Sequence, residues 1–377
     1  MRGRGEAFFW TAKNASPFLL QNHFFFSIIP HAERLNWMNP IKVLTTLRFT
    51  DAQIERVRAV SPRLVVAQKS VKEGADFSDT SALFDGDEEI FYGMIPPRDL
   101  SRAPRLKWVQ LHSAGINHLT NHPILQGDVL VTTASGIHAT PIGEFAIALM
   151  LALARKIPTM TRKQDRAEWP KGKWNLLLGT ELRGKTLGVV GYGSIGREVA
   201  RIAKQGFAMR VLALTRGGAK RDRGYHEPGV GDPAGTLPDA WFTRAQLRDL
   251  LAQSDFVLIA TPLTDETRGL IGERELRAMK PTAFLVNIAR GGIVDEDALV
   301  RALKANWLAG VGLDVFEKEP LPADSELWKL ENALISPHVS GATPHYDDRA
   351  VELFCENLRR YLRGEHLLNL VDTTKGY

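Results

Sequence analysis

Residues 179–196, GTELRGKTLGVVGYGSIG, constrain the fold more than any other stretch, because they carry two phosphate-binding patterns that cannot both hold. Residues 179–186 spell G-x-x-x-x-G-K-T, the nucleotide-binding P-loop. Gly191, Gly193 and Gly196 spell G-x-G-x-x-G, the dinucleotide fingerprint. Both wrap phosphate with backbone N–H groups at a helix start, but they need that helix in different places. A P-loop requires a helix from its Lys-Thr pair onward. Here Lys185-Thr186 leads into LGVVGYG, with β-branched Val189 and Val190 and three glycines, each costing a helix interior ~1 kcal/mol. Residues 179–186 therefore read as a turn entering a strand. The second pattern has the right flanks. TLGVV reads as a buried strand, and REVARIAKQG continues a helix with Ile195, Val199, Ile202 and Ala203 on one face. Gly191, Tyr192, Gly193, Ser194, Ile195 and Gly196 then form the loop that meets a dinucleotide pyrophosphate.

The end of the next strand bears on which dinucleotide. NAD enzymes place a carboxylate about 20 residues on, where it holds the ribose 2′-OH. RVLALTR places Thr215 and Arg216 there instead, with Lys220, Arg221 and Arg223 following. An arginine at that point pairs with a 2′-phosphate, so NADP(H) is expected in preference to NAD(H).

Strand-like and helix-like runs alternate through the rest of the chain, the pattern of an α/β protein with parallel sheets. IKVLTTL, RLVVAQ, EIFYGM, LKWVQLH and DVLVTTA read as strands of a first unit ending near Ser135, with a helix over TDAQIERVRAV. Thr140-Pro141 reads as a helix start, with a hydroxyl at the N-cap and proline at the first helical position. A polar connection, TRKQDRAEWPKGKW, precedes the second unit, whose further strands are DFVLIAT, AFLVNIA, LAGVGLDVF and ALISPH. Residues 216–240 are rich in glycine, proline and charge and are expected to form a surface loop.

Bulk properties exclude several classes. A net charge of +5 over 377 residues, with no long basic stripe, argues against a nucleic-acid partner. The most apolar run, FAIALMLALA, falls short of the ~20 residues a bilayer requires, so no membrane span is expected. A single cysteine, Cys355, rules out an internal disulfide and fits a cytoplasmic protein. Residues 1–37 lack periodicity and are expected to be a disordered extension ahead of MNPIKVLTTL.

Three further segments carry a family resemblance: LVNIARGGIVDEDAL (285–299), GLDVFEKEPLP (312–322) and SPHVSGAT (336–343). In order and spacing they resemble the D-isomer-specific 2-hydroxyacid dehydrogenases over residues 39–368. The resemblance implies two Rossmann-like doubly wound domains, with an NAD(P)-binding domain at 140–336 inserted into a flavodoxin-like substrate domain at 38–139 plus 337–377. It implies crossover helices near 140–155 and 345–364, and a homodimer. It places the catalytic arginine at Arg290, its acidic partner at Glu319 and the acid/base histidine at His338. It puts Thr261, Pro262, Ile288, Ala289 and Asp314 against the cofactor, and Ser113, Ala114 and Gly115 at the substrate carboxylate. No metal is implied.

The residues agree with those roles. Arg290 and His338 each follow an apolar strand, at the end where open α/β sheets bind ligands. A guanidinium there can hold a carboxylate bidentately, and an imidazole can deliver a proton near neutral pH. Glu319 would hydrogen-bond the imidazolium and keep its proton available. Glutamate beside the histidine argues against a formate dehydrogenase, while a phosphite-type dehydrogenase and an NAD(H)-binding corepressor stay open as alternatives. His112, His118, His122, His138 and His345 read as surface or satisfied rings.

Overall fold

The computed structural model describes residues 39–69, 79–217, 221–222 and 224–372, so the expected extension at 1–37 lies outside the described residues. Five short strands form a first, wholly parallel sheet: β1 (Ile41–Thr45), β2 (Leu64–Gln68), β3 (Ile90–Gly93), β4 (Trp108–Leu111) and β5 (Leu130–Thr132). Their order is β2-β1-β3-β4-β5, the flavodoxin-like winding. Helix α1 (Asp51–Arg58) joins β1 to β2. It is opened by a capping box in which the Thr50 hydroxyl accepts the Gln53 N–H and the Gln53 side chain accepts the Thr50 N–H.

Two crossover helices follow in chain order on either side of the second unit. Helix α2 (Ala139–Ala154) leads out of the first sheet, followed by α3 (Ile157–Asp165) and the single turn α4 (Lys173–Leu176). The second sheet contains β6 (Thr186–Val190), β7 (Arg210–Leu214), β8 (Ala240–Phe242), β9 (Phe256–Ile259), β10 (Phe284–Asn287), β11 (Gly310–Leu313) and β12 (Ala333–Ile335). All pair in parallel, in the order β12-β11-β10-β9-β6-β7-β8. The winding reverses between β6 and β9, the switch point at which such sheets bind ligands.

Helices cover both faces of this sheet, which is why its strands are continuous apolar runs. Alpha helix α5 (Ser194–Phe207) and α2 lie on one face, where Ala146, Met150, Val199 and Ala203 pack on Val189, Val211 and Leu258. On the other face α6 (Leu247–Gln253), α7 (Glu273–Ala278) and α8 (Glu296–Lys304) bring Leu250, Leu276, Leu299 and Leu303 onto Val257, Leu285 and Val311. Each fully buried aliphatic side chain contributes roughly 1.5–3 kcal/mol of transfer free energy. The chain then returns to the first sheet through α9 (Tyr346–Arg363), whose Phe354 ring lies 4.4 Å from Tyr92 and 5.3 Å from Trp108.

Thr186 opens β6, so the P-loop match at 179–186 is indeed a turn entering a strand. Two expectations need correction, the helix start at Thr140-Pro141 and the surface loop at 216–240. Helix α2 starts at Ala139 with His138 at the cap position, not at Thr140-Pro141. Pro141 falls within the first turn, where backbone N–H groups have no helical partner anyway, so it does not resist the earlier start. The polar connection at 161–174 is partly helical, in α3 and α4. The 216–240 segment is only partly a surface loop. Its last residue, Ala240, opens β8, and Asp232 is buried, accepting from the Tyr192 hydroxyl at 2.8 Å and from the amides of Thr236 and Leu237. The same segment reaches the other unit, where the Tyr225 amide donates to Asn369 and Glu227 pairs with Arg349 at 2.9 Å. Glycine and proline keep it from forming a helix, but its carboxylates at Asp232 and Glu227 find partners in the rest of the fold.

Candidate active site

The phosphate loop sits at the switch point. Gly191, at the end of β6, has φ +102°, and a Cβ there would meet the Ala260 carbonyl carbon at 2.6 Å. Only glycine allows that turn beside the neighbouring strand. Gly193 lies over open space, with nothing within 4 Å of a Cβ built on it, and Ser194 begins α5 directly after it. Backbone N–H groups of a helix start thus face an open cradle, the arrangement that holds a pyrophosphate. Ile195 packs into the core beneath the loop. Tyr192 points away from the cradle, into the core, with its hydroxyl on Asp232.

Thr215 follows β7, and its hydroxyl oxygen is buried without a hydrogen-bond partner, which suits a ribose or phosphate group brought there by a cofactor. Arg216 stands beside it. Its Nε lies 3.3 Å from Glu266, and Arg244 lies 4.0 Å from the same carboxylate oxygen. All three side chains are half exposed, so these pairs hold Arg216 only weakly. Thr261 and Pro262 follow β9, across the switch point from Gly191. The open cradle, the orphaned hydroxyl and the basic groups at the end of β7 fit a nicotinamide dinucleotide.

The candidate catalytic residues follow three adjacent strands. Asn287, Leu313 and Ile335 stand in register across β10, β11 and β12. Arg290 and His338 each come three residues after their strand, and Glu319 comes six after its own. Asn287 shapes the first turn: buried, it accepts the Ala289 N–H and donates to the Arg290 carbonyl, so that Ile288 and Ala289 turn back against the sheet. Gly291 lets that turn touch the next one, since a Cβ there would fall 1.8 Å from the Phe316 carbonyl carbon. The Arg290 side chain is exposed, with Nη1 on the Ala289 carbonyl at 2.7 Å.

Glu319 and His338 are in contact. Oε2 of Glu319 lies 2.7 Å from His338 Nδ1, and Oε1 accepts the Phe316 N–H at 3.0 Å. That contact directs His338 Nε2 away from Glu319. His338 holds a left-handed backbone, φ +54°, uncommon for a residue with a side chain. The backbone on its C-terminal side is anchored by Asp314, which is wholly buried. Asp314 accepts from the Ser336 hydroxyl at 2.7 Å and from the amides of Val339 and Ser340 at 2.9 and 3.0 Å. Sequence reasoning put Asp314 beside the cofactor and missed this bracing role. Its donors come from residues 336–340, more than 20 residues on, so no local signal marked it.

From the first sheet, Ser113, Ala114 and Gly115 follow β4. The Ser113 hydroxyl donates to the Gly115 carbonyl at 2.8 Å, closing a small turn. His112 and His138 also lie at the junction of the two sheets rather than on an outer surface. His112 is satisfied, with Nδ1 3.1 Å from the Tyr92 hydroxyl and Nε2 3.2 Å from Asp347. Burial outweighs that carboxylate and lowers its pKa below the usual histidine value. His138 has an Nδ1 that is buried and unpartnered. Burial, followed by the positive neighbours His112, Arg290 and Arg349, lowers its pKa to about 4.

Residues 147–340 match the family described as D-isomer specific 2-hydroxyacid dehydrogenase, NAD binding domain. The chain is 40% identical over 272 residues to a glyoxylate reductase of Korarchaeum cryptofilum, covering 72% of this chain and 77% of that protein. Its fold is similar to the D-isomer specific 2-hydroxyacid dehydrogenase of Xanthobacter autotrophicus solved with NADPH and MES, with a TM-score of 0.70 and 29% identity over 90% of this chain and all of that one. It is also similar to an NADPH-dependent glyoxylate/hydroxypyruvate reductase of Sinorhizobium meliloti solved with NADP and sulfate, with a TM-score of 0.68 and 25% identity over 89% of this chain and all of that one. In this chain an open phosphate cradle at the switch point stands with an arginine, a glutamate and a histidine that follow neighbouring strands. The chain belongs to the D-isomer-specific 2-hydroxyacid dehydrogenase family and is an NAD(P)-dependent oxidoreductase of 2-oxo and 2-hydroxy acids.

Proposed function

We propose that this chain is an NADPH-preferring reductase of small 2-oxo acids to D-2-hydroxy acids, with Arg290, Glu319 and His338 as its catalytic set. The observation that carries the reading is the 2.7 Å contact between Glu319 and His338, with Arg290 following the adjacent strand. Arg290 holds the substrate carboxylate and polarises the neighbouring ketone, helped by the backbone amides of residues 113–115. His338, oriented by Glu319, delivers its proton to the ketone oxygen. The bound dinucleotide supplies the hydride to the carbonyl carbon. Gly191, Gly193, Ser194 and Gly196 cradle its pyrophosphate, with Tyr192 and Ile195 fixing the loop from beneath. Thr215, Arg216, Thr261 and Pro262 hold its adenosine half. Ile288, Ala289 and the turn braced by Asp314 flank the nicotinamide.

NADPH preference is supported by Arg216, standing where NAD enzymes carry a carboxylate. Glyoxylate is the first substrate to test, given the names of similar reductases. In this reading residues 140–336 form the cofactor domain, and 38–139 with 337–377 form the substrate domain. The enzyme works as a cytoplasmic homodimer, without nucleic-acid or membrane partners. The deciding assay is oxidation of NADPH against a panel of 2-oxo acids, repeated with NADH. Turnover of glyoxylate or a near relative, faster with NADPH, is expected. Tight cofactor binding without turnover of any 2-oxo acid defeats the reading and favours a corepressor-like role.

A further inference from the structure

The first turn of α9 closes on His112, the residue just before the loop 113–115 assigned above to the substrate carboxylate. The Tyr346 hydroxyl donates to the His112 carbonyl at 2.6 Å, and Asp347 Oδ1 lies 3.2 Å from His112 Nε2. The other two polar groups of His112 are held from β3. Its N–H donates to the Gly93 carbonyl at 3.0 Å, and its Nδ1 lies 3.1 Å from the Tyr92 hydroxyl. Tyr346 is itself fixed between two imidazoles, with ring centroids 4.8 Å from His112 and 5.0 Å from His138. Burial, followed by the Asp347 charge, raises its pKa to about 12, so the hydroxyl keeps its proton and remains a donor near neutral pH.

What this hydroxyl holds is a peptide plane. The His112 carbonyl and the Ser113 N–H belong to one planar trans unit and point in opposite directions. A hydrogen bond to the carbonyl therefore sets the direction of the N–H, and it polarises that N–H into a stronger donor. On the far side the Ser113 carbonyl accepts the Ala134 N–H at 2.9 Å, so the chain is pinned before, at and after this unit. The Ser113 N–H itself meets no acceptor among the described residues, and Ser113 is partly exposed. An oriented, polarised and unspent amide is a preorganised donor for an anion. Residues 339–345 join His338 to Tyr346, so one stretch of chain sets both the acid/base histidine and the loop that faces the carboxylate.

We propose that Tyr346 is a positioning residue for substrate binding: through the His112–Ser113 peptide it aims the Ser113 N–H at the substrate carboxylate. The assignment rests on the reductase reading above for the identity of that anion. The carboxylate does not change during the reaction, so a donor aimed at it holds ground state and transition state alike. Tyr346 therefore acts on substrate affinity and not on the chemical step.

The test compares wild type with Tyr346→Phe, which deletes the hydroxyl and keeps the ring between its imidazoles. Tyr361→Phe is the control, because its hydroxyl donates to Glu89 at 2.8 Å further along the same helix, away from the loop. The readouts are kcat and KM for glyoxylate and pyruvate, KM for NADPH, and the affinity of the NADPH-bound protein for oxalate by calorimetry. Tyr346→Phe is expected to raise KM for both acids and Kd for oxalate about 10-fold, with kcat and the NADPH KM within about two-fold of wild type. Tyr361→Phe should lower the urea midpoint and leave the kinetic and oxalate values unchanged. Unchanged substrate and oxalate affinities in Tyr346→Phe, a loss confined to kcat, or an equal loss in Tyr361→Phe overturn the assignment and leave the reductase reading standing. Wild type that binds oxalate but reduces no 2-oxo acid defeats the reductase reading, and the oxalate comparison then decides the role of Tyr346 alone. Wild type that does neither defeats both.

Discussion

Glu319 divides its two carboxylate oxygens between His338 Nδ1 and the Phe316 N–H, so the acid that orients the histidine is itself held by backbone. Replacing Glu319 with glutamine keeps the size but weakens the hold on a protonated ring. Glu319→Gln should lower kcat by about 10–100-fold, and His338→Gln by about 10²–10⁴-fold, with NADPH binding retained in both. The check is steady-state kinetics across pH. Near-normal turnover in His338→Gln would remove it from the chemistry.

The cofactor preference has its own handle in Arg216. Glu266 lies 3.3 Å from Arg216 and 4.0 Å from Arg244, between two guanidinium groups that a 2′-phosphate would also seek. Arg216→Ala should raise KM for NADPH about 10-fold while leaving that for NADH nearly unchanged, the loss of one charge-assisted contact. Glu266→Gln removes a competing anion and should shift the ratio the other way, by a few-fold at most, because these groups are half exposed and screened. Measured KM values for both cofactors in both variants decide the matter. Equal effects on NADPH and NADH would defeat the assignment.

Much of this was legible in residue order. The strand TLGVV followed by G-x-G-x-x-G placed the phosphate loop, since glycine and β-branched residues leave few alternatives. That Arg290, Glu319 and His338 each follow an apolar strand was readable from their motifs, and the fold sets those strands side by side. Less legible were contacts made across the chain. Nothing local marked Asp314 as the brace of the His338 turn, because its three donors come from residues 336–340. The pairing of Tyr192 with Asp232 spans 40 residues and depends on how an irregular segment folds back. His138 looked like any histidine until the fold brought Arg290 and Tyr346 around it. Local chemistry shows in sequence, whereas the partners of buried polar groups are set by topology.

The proposed dimer also has a visible candidate surface. Half of the exposed large hydrophobic side chains among the described residues fall within 157–178: Ile157, Met160, Trp169, Trp174, Leu176 and Leu178. Trp169 and Trp174 are more than four-fifths exposed, unusual for rings of that size. Such concentrations mark protein contacts on soluble proteins. The double variant Trp169→Glu, Trp174→Glu should sediment as a monomer where wild type sediments as a dimer, with circular dichroism unchanged. A dimer that survives both substitutions places the interface elsewhere.

Stability should fall on mild acidification, with a defined sign. The His138 pKa is lowered from 6.5 to about 4, so between those values the unfolded chain binds a proton that the folded chain refuses. Stability from this group is therefore complete above pH 6.5, is lost as pH falls, and levels off below about 4. From pH 7 to pH 5 the loss is about 2 kcal/mol for a shift of this size. His112 is shifted in the same direction and adds to it. His138→Asn removes the titrating ring while keeping a polar side chain, so its urea midpoint should fall less steeply over that range than wild type. Parallel curves for the two proteins would mean that His138 is as easily protonated in the fold as in the open chain.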